Sequence, residues 1–234
     1  MITCYRDEQC LYLRDNFNEL VDLIQQKRAE GFFITDFDFG NGIYSVVLEK
    51  GCEFKDQKLT WEETFSEDTM KEFTDSGYDL TNLFYDGKDW IFVFSLIEKS
   101  FGQTWVVDAE FPEKQIEEKW QGGYAITKVA YGQDKWVVVF SKGIDYENTN
   151  WMTRRSLDFE ELRKKVEEGK MITEIAYGNG VWCIVFSTIS VYGFQRIIQS
   201  SEFPLQRVQE MWNDGCAGLL CAYGANTWAV IMSK

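Results

Sequence analysis

Histidine is absent from the 234 residues. That removes the commonest general base at neutral pH and every histidine-containing triad. What remains is acid: 38 Asp and Glu stand against 24 Lys and Arg, a formal net charge of -14. Paired carboxylates can serve as general acid and base, and Asp36 with Asp38 comes nearest to such a pair. Simple strand alternation makes both of them solvent-facing residues of their hairpin, however, and Glu174 breaks its pattern no more strongly. No G-x-x-x-x-G-K-[ST] stretch is present, and the turn glycines lead into strands, so no phosphate loop is expected. The six cysteines contain no CxxC, and without histidine a zinc site would need four well-placed thiolates. Cys183 and Cys221 fall in columns that are otherwise apolar and read as small buried hydrophobes. The expectation is a chain with no catalytic residue, no metal site and no cofactor.

The acidic balance also excludes partners. Nucleic acid requires a basic patch or stripe, and the largest basic cluster is Arg163, Lys164 and Lys165, inside an acidic helical segment. Anionic membrane surface is disfavoured for the same reason. The longest apolar runs, such as VVVF and VWCIVF, are of strand length and cannot span a bilayer. The opening MITCYRDEQC has neither a basic start nor an apolar run, as a secretory leader would. A cytoplasmic protein is expected. At 45% hydrophobic and 16% aromatic residues, it has ample material for a packed core.

The elements that would position any site are set by a repeat. Glycine recurs at Gly31, Gly77, Gly123, Gly169 and Gly215, and a large aromatic at Tyr44, Trp90, Trp136, Trp182 and Trp228, 46 residues apart in both columns. A period of this size marks a repeat architecture. Each repeat holds a hairpin of aromatic and β-branched strands around a turn such as Asn41-Gly42, Asp86-Gly87 or Asn179-Gly180. A third strand follows, with the column Leu13, Leu59, Trp105, Trp151 and Ile197. An amphipathic helix comes next, with Ile24, Met70, Ile116, Leu162 and Val208 on its apolar face. Ser66 and Asp158 read as helix N-caps, and Pro112 and Pro204 as helix starts.

The fold class is therefore mainly β with one helix per repeat, built from β-β-β-α units. The units run approximately 31–76, 77–122, 123–168 and 169–214, with 215–234 completed by 1–30, all in a single domain 1–234. Five periods of 46 make 230, close to the 234 residues. This predicts a closed five-bladed β-propeller-like toroid. In that reading the N-terminal strand pairs with the C-terminal hairpin, which avoids leaving half-built units with bare edges.

Two uses of the aromatic column compete. One aromatic per blade could line repeated ligand pockets, as for sugars or a methylated side chain, or each ring could fill the wedge between neighbouring blades. We expect the wedge. The column Thr35, Thr81, Thr127 and Thr173 and the serines at 95, 141, 187 and 233 are expected to satisfy backbone groups. Partner-binding residues are sought where the repeat varies most, at 50–62, 97–105, 143–156 and 189–200. The candidates there are Trp61, Phe101, Tyr146, Trp151, Tyr192 and Phe194, since large exposed apolar patches mark partner sites.

From Phe111 to Gly143 the chain reads FP, I, KW, GY, IT, AYG, W and VVFSKG in order. This resembles the repeats of the C-terminal domain of plant casein-kinase-like nuclear protein kinases, over essentially the whole chain and most closely from 77 to 234. No glycine-rich loop, HRD or DFG of a kinase domain is present. The resemblance therefore implies an accessory module and carries over no active site. A weaker likeness is to five-bladed animal lectins with units of near-equal length, although their ligand residues have no counterpart here. The function expected is a non-catalytic protein-interaction or scaffold module that meets another protein, as part of a larger assembly. The alternative is a multivalent carbohydrate-binding propeller.

Overall fold

The computed structural model describes residues 9–98, 100, 102–144, 146–189 and 193–234. The chain is mainly β, with five three-stranded antiparallel sheets and five helices in repeating units. The first unit is β1 (Gln9–Arg14), α1 (Phe17–Ala29), β2 (Phe33–Gly40) and β3 (Ile43–Glu49). The second is β4 (Asp56–Glu62), α2 (Glu67–Asp75), β5 (Asp79–Tyr85) and β6 (Trp90–Leu96). The third is β7 (Thr104–Asp108), α3 (Glu113–Gln121), β8 (Tyr124–Gly132) and β9 (Lys135–Lys142). The fourth is β10 (Glu147–Arg154), α4 (Phe159–Glu167), β11 (Met171–Gly178) and β12 (Val181–Thr188). The fifth is β13 (Gln195–Ser200), α5 (Leu205–Asn213), β14 (Gly218–Gly224) and β15 (Thr227–Ser233).

Strand pairing corrects the expected unit boundaries. β1 pairs with β3, not with the C-terminal hairpin, and β13 fills the corresponding place beside β15. Each sheet is thus contiguous in sequence, in the order β-α-β-β, and the fifth is not completed by residues 1–30. The physical reason is local. The helix returns the chain antiparallel to its own first strand, so that strand and the following hairpin share an edge without any long loop closure.

The register also moves one column. Leu11 lies opposite Val47, as Leu59 lies opposite Val93 and Ile197 opposite Ile231. Leu13 faces Ser45 and does not hold that place. The first unit carries two extra residues before its helix. α1 absorbs them, having 13 residues where the other helices have nine.

Local chemistry accounts for the element ends. Ser66 accepts from Thr69 N–H at 3.1 Å, and Asp158 accepts from Glu160 and Glu161 N–H at 3.0 and 3.1 Å, as N-caps do. The glycines at 31, 77, 123, 169 and 215 follow the helices with φ between 77° and 90°, the left-handed region in which a side chain is costly.

The core lies between units. One cluster joins Met70, Trp90 and Phe92 to Ala130, Val137 and Val139 of the third unit. Another joins Ile116 and Trp136 to Ala176, Cys183 and Val185 of the fourth. A third joins Val208, Trp228 and Val230 of the fifth unit to Val47 and Leu11 of the first. The inner strands follow the same order: β2 lies against β5 and β14, β8 against β5 and β11, and β11 against β14.

Candidate functional site

The aromatic column is consumed by packing. Trp90, Trp136, Trp182 and Trp228 are fully buried, and Tyr44 nearly so. Each ring is gripped from two sides. Trp136 meets Phe111 and Tyr131 at centroid distances of 5.1 and 5.0 Å, and Trp228 meets Phe203 and Tyr223 at 5.1 and 5.2 Å. Edge-on and tilted contacts of this kind suit the ring quadrupoles.

The hairpin glycines complete the seam. A Cβ on Gly132, Gly178, Gly224 or Gly40 would overlap the Cβ and Cγ of Tyr85, Tyr131, Tyr177 or Tyr223, each from the preceding unit or, for Gly40, from the fifth. Asp86 replaces glycine at this position in the second unit, and there the Tyr44 hydroxyl donates to its carboxylate at 2.5 Å.

A second seam device was not anticipated from the sequence. The Gln57 side chain accepts from Ile34 N–H and donates to Ile34 C=O, at 2.8 and 2.9 Å, so one amide mimics a strand partner across units. Gln103 does the same to Leu80, and Gln195 to Ile172. Their NH2 groups also reach Ser95, Ser141 and Ser233. Gln9, in the matching register, donates to Ala217 C=O of the fifth unit at 3.0 Å. The signal was available, because 57, 103 and 195 share one column of the repeat. The two extra residues of the first unit hide Gln9 from it.

The threonine column satisfies backbone groups, as expected. Thr35, Thr81, Thr127 and Thr173 each donate toward the carbonyl of the adjacent strand's valine. They also mark a bulge, since in each of these four units the register slips between the residue before the threonine and the residue after it. A bulge inverts the alternation of everything that follows. Ile34 and Phe37 therefore share the core face, while Asp36 turns to the opposite face.

The expectation that Asp36 and Asp38 face solvent is overturned: Asp36 is buried and Asp38 is half-buried. Asp36, Asn82, Lys128 and Glu174 occupy equivalent positions on four inner strands and are all buried. Lys128 Nζ lies 3.1 Å from Glu174 Oε2. The Cys221 thiol donates to Asp36 Oδ2 at 3.1 Å, and its sulfur lies 3.3 Å from Ser45 Oγ. Leu220 holds the fifth place.

Of these residues Asn82, Lys128, Glu174 and Cys221 line a cavity of about 80 Å³. Its floor is Asn82, Lys128 and Glu174, and its wall includes Asp38, Phe84, Ala130, Ala176 and Ala222. Half-buried Phe39, Tyr85, Tyr131, Tyr177 and Tyr223 form a collar toward the hairpin turns. Asp38 accepts from Phe39 N–H at 2.7 Å. Burial raises Asp36 to about 7, against the opposing pull of Lys128. Burial likewise holds Asp38 well above the ordinary carboxylate range and raises Glu174. For Lys128, burial favours the neutral form, but Glu174 and Asp36 outweigh it and the amine stays charged. Asn82 Oδ1 is buried with no hydrogen-bond partner among the described residues.

The six partner-binding candidates are not brought together. Trp61 is 43% exposed and Phe194 37%. Trp61 pairs with Ile91 near the hairpin turn of its unit, whereas Phe194 sits beside Lys234 at the other end of its strands. Trp151 packs against Phe111 at 5.1 Å, and Tyr146 packs on the fourth unit's core. Phe101 and Tyr192 lie outside the described residues. No group of three or more metal-ligating side chains occurs among the described residues, and no helix there is long and apolar enough to cross a membrane.

Five β-α-β-β units with similar seams and a different residue at each equivalent inner-strand position define a repeat protein whose units are differentiated there. The chain belongs to the family called domain of unknown function DUF7477, whose model matches residues 2–135 and again 134–234. No curated protein matches it.

Proposed function

We propose that the chain is a non-catalytic binding module, a closed five-bladed propeller-like ring that engages one protein partner at a time. The observation that carries this reading is the central column. Asp36, Asn82, Lys128, Glu174 and Leu220 are five different residues at five equivalent positions. A multivalent lectin would repeat its ligand residues in every unit; a single-partner module concentrates its differences in one place. Ring closure is supported by the hydrophobic cluster joining the fifth unit to the first and by the contact of β14 with β2. The closure is then one of packing, with Gln9 as its polar link, and no strand is exchanged.

The partner would sit on the end of the ring that carries the tyrosine collar, beside Trp61. The resemblance to accessory domains of casein-kinase-like protein kinases is consistent with such a role. A reducing, cytoplasmic setting suits Cys10, Cys183, Cys216 and Cys221, which are free thiols.

The test is affinity purification at mild salt from the native source, with a glycan array run on the same protein. Trp61→Glu and Phe194→Glu serve as paired variants. The expected result is one partner at fixed stoichiometry, lost with Trp61→Glu and retained with Phe194→Glu, over a blank array. A sugar hit with no stoichiometric partner would overturn the reading.

A further inference from the structure

We infer that the central cavity binds a primary ammonium group, either a lysine side chain presented by a partner or a small free alkylamine. The lining is rich in acceptors and poor in free donors. Asp38 and Glu174 contribute carboxyl oxygens, and Asn82 Oδ1 is buried with no partner among the described residues. The charged donor of the cluster, Lys128, is already engaged by Glu174. A buried acceptor left unpaired is costly, and a guest carrying N–H donors would satisfy it.

Above this layer the walls are apolar, with Ala130, Ala176, Ala222 and Phe84 leading out to the four tyrosines and Phe39. That succession of polar floor, largely apolar shaft with Asp38 in its wall, and aromatic collar matches an ammonium head on a methylene chain. A hydrated metal ion would gain nothing from the alanines, and no metal-ligating group of three occurs among the described residues. A quaternary ammonium has no N–H to offer Asn82. At about 80 Å³ the cavity admits a head group and a short stem, not a whole ligand.

Burial raises the Asp36 and Asp38 carboxyls above the ordinary carboxylate range. The groups facing Asp36 are Asp38 on its own strand, Lys128 and Glu174 from the third and fourth units, and the Cys221 thiol from the fifth. An arriving cation favours the carboxylate form of Asp38, so binding should release a proton and tighten with rising pH.

The experiment is titration calorimetry on the full chain with n-butylamine, Nα-acetyl-lysine N-methylamide, tetramethylammonium and potassium chloride, in two buffers of different ionisation enthalpy. Both primary amines should bind with proton release, and neither tetramethylammonium nor potassium should replace them. Tighter binding of the lysine derivative points to a partner's side chain, and equal binding to a free amine. Asn82→Leu removes an unpaired polar atom and should therefore fold; it should weaken both amines about tenfold or more. Asp38→Asn should weaken them similarly and reduce the proton release. No heat with any amine, equal binding of tetramethylammonium or potassium, or unchanged affinity in Asn82→Leu would overturn the inference. Because the probes are small amines, failure here leaves the proposed protein contact at Trp61 to its own test.

Discussion

The seams and the centre of this molecule treat the same repeat in opposite ways. At the seams, glycine, tyrosine, tryptophan and glutamine recur, and each makes nearly the same contact from unit to unit. At the centre the equivalent position holds acid, amide, amine, acid and alkyl side chains in turn. Seam geometry is shared because the same side chains meet at the junction of each pair of neighbouring units. The centre carries no such constraint. Its side chains meet one another rather than copies of themselves, so each can differ without disturbing the frame. The difference shows which residues build the frame and which give it an individual character.

The largest effects should come from breaking the seams. Trp136→Ala removes a fully buried ring shared by two units, and should cost about 3–5 kcal/mol in urea unfolding. Gly178→Ala drives a methyl into Tyr131, and about 1–3 kcal/mol is expected. Gly40→Ala makes the same contact between the first and fifth units and should cost a similar amount. A negligible cost at Gly40 beside a large one at Gly178 would mean that the ring does not close.

Breaking the centre separates pairing from charge. Glu174→Gln leaves Lys128 buried without its carboxylate, and about 3–5 kcal/mol should be lost. The pH response distinguishes the centre from the perimeter. The folded state holds the Asp36 proton to about 7, above the unfolded value. Its contribution is therefore full below pH about 4 and lost as pH rises to about 7.

Asp56 behaves in the opposite sense. Burial pushes its carboxyl up, but Lys58, Tyr78 and Arg28 donate to it and hold it below the usual range. Its contribution is present above the unfolded value and lost as pH falls through the folded one. Asp36→Asn should flatten stability between pH 4 and 7 in thermal melts, and Asp56→Asn should flatten only the acid side. The smallest effect is at the exposed rim: Trp61→Ala should change stability by about 1 kcal/mol or less, so any larger loss of partner binding in that variant reports recognition and not folding.

Much of the frame was legible in the sequence. The 46-residue glycine and aromatic columns, the hairpin turns, the Ser66 and Asp158 caps and the helix faces all hold in the structure. These are signals of propensity and period, carried by residues close together in the chain or repeated at fixed spacing. The pairing of β1 was misjudged because period alone does not say where a repeat is cut. Strand, helix and hairpin can be grouped in two phases, and only hydrogen-bonded register selects one.

The centre was misread for a different reason. Asp36, Asn82, Lys128, Glu174 and Leu220 form a visible column, but alternation placed its first member in solvent. The bulge at the threonine column reverses that phase, and nothing in a single strand's pattern announces it. Sequence alone determined the repeat, its elements and the burial of its tryptophans, because those follow from local propensity and periodic hydrophobicity. The tertiary structure decided that Asn82, Lys128 and Glu174, from strands 46 residues apart, face one cavity, since that requires the bulges of their strands and the packing of neighbouring units at once.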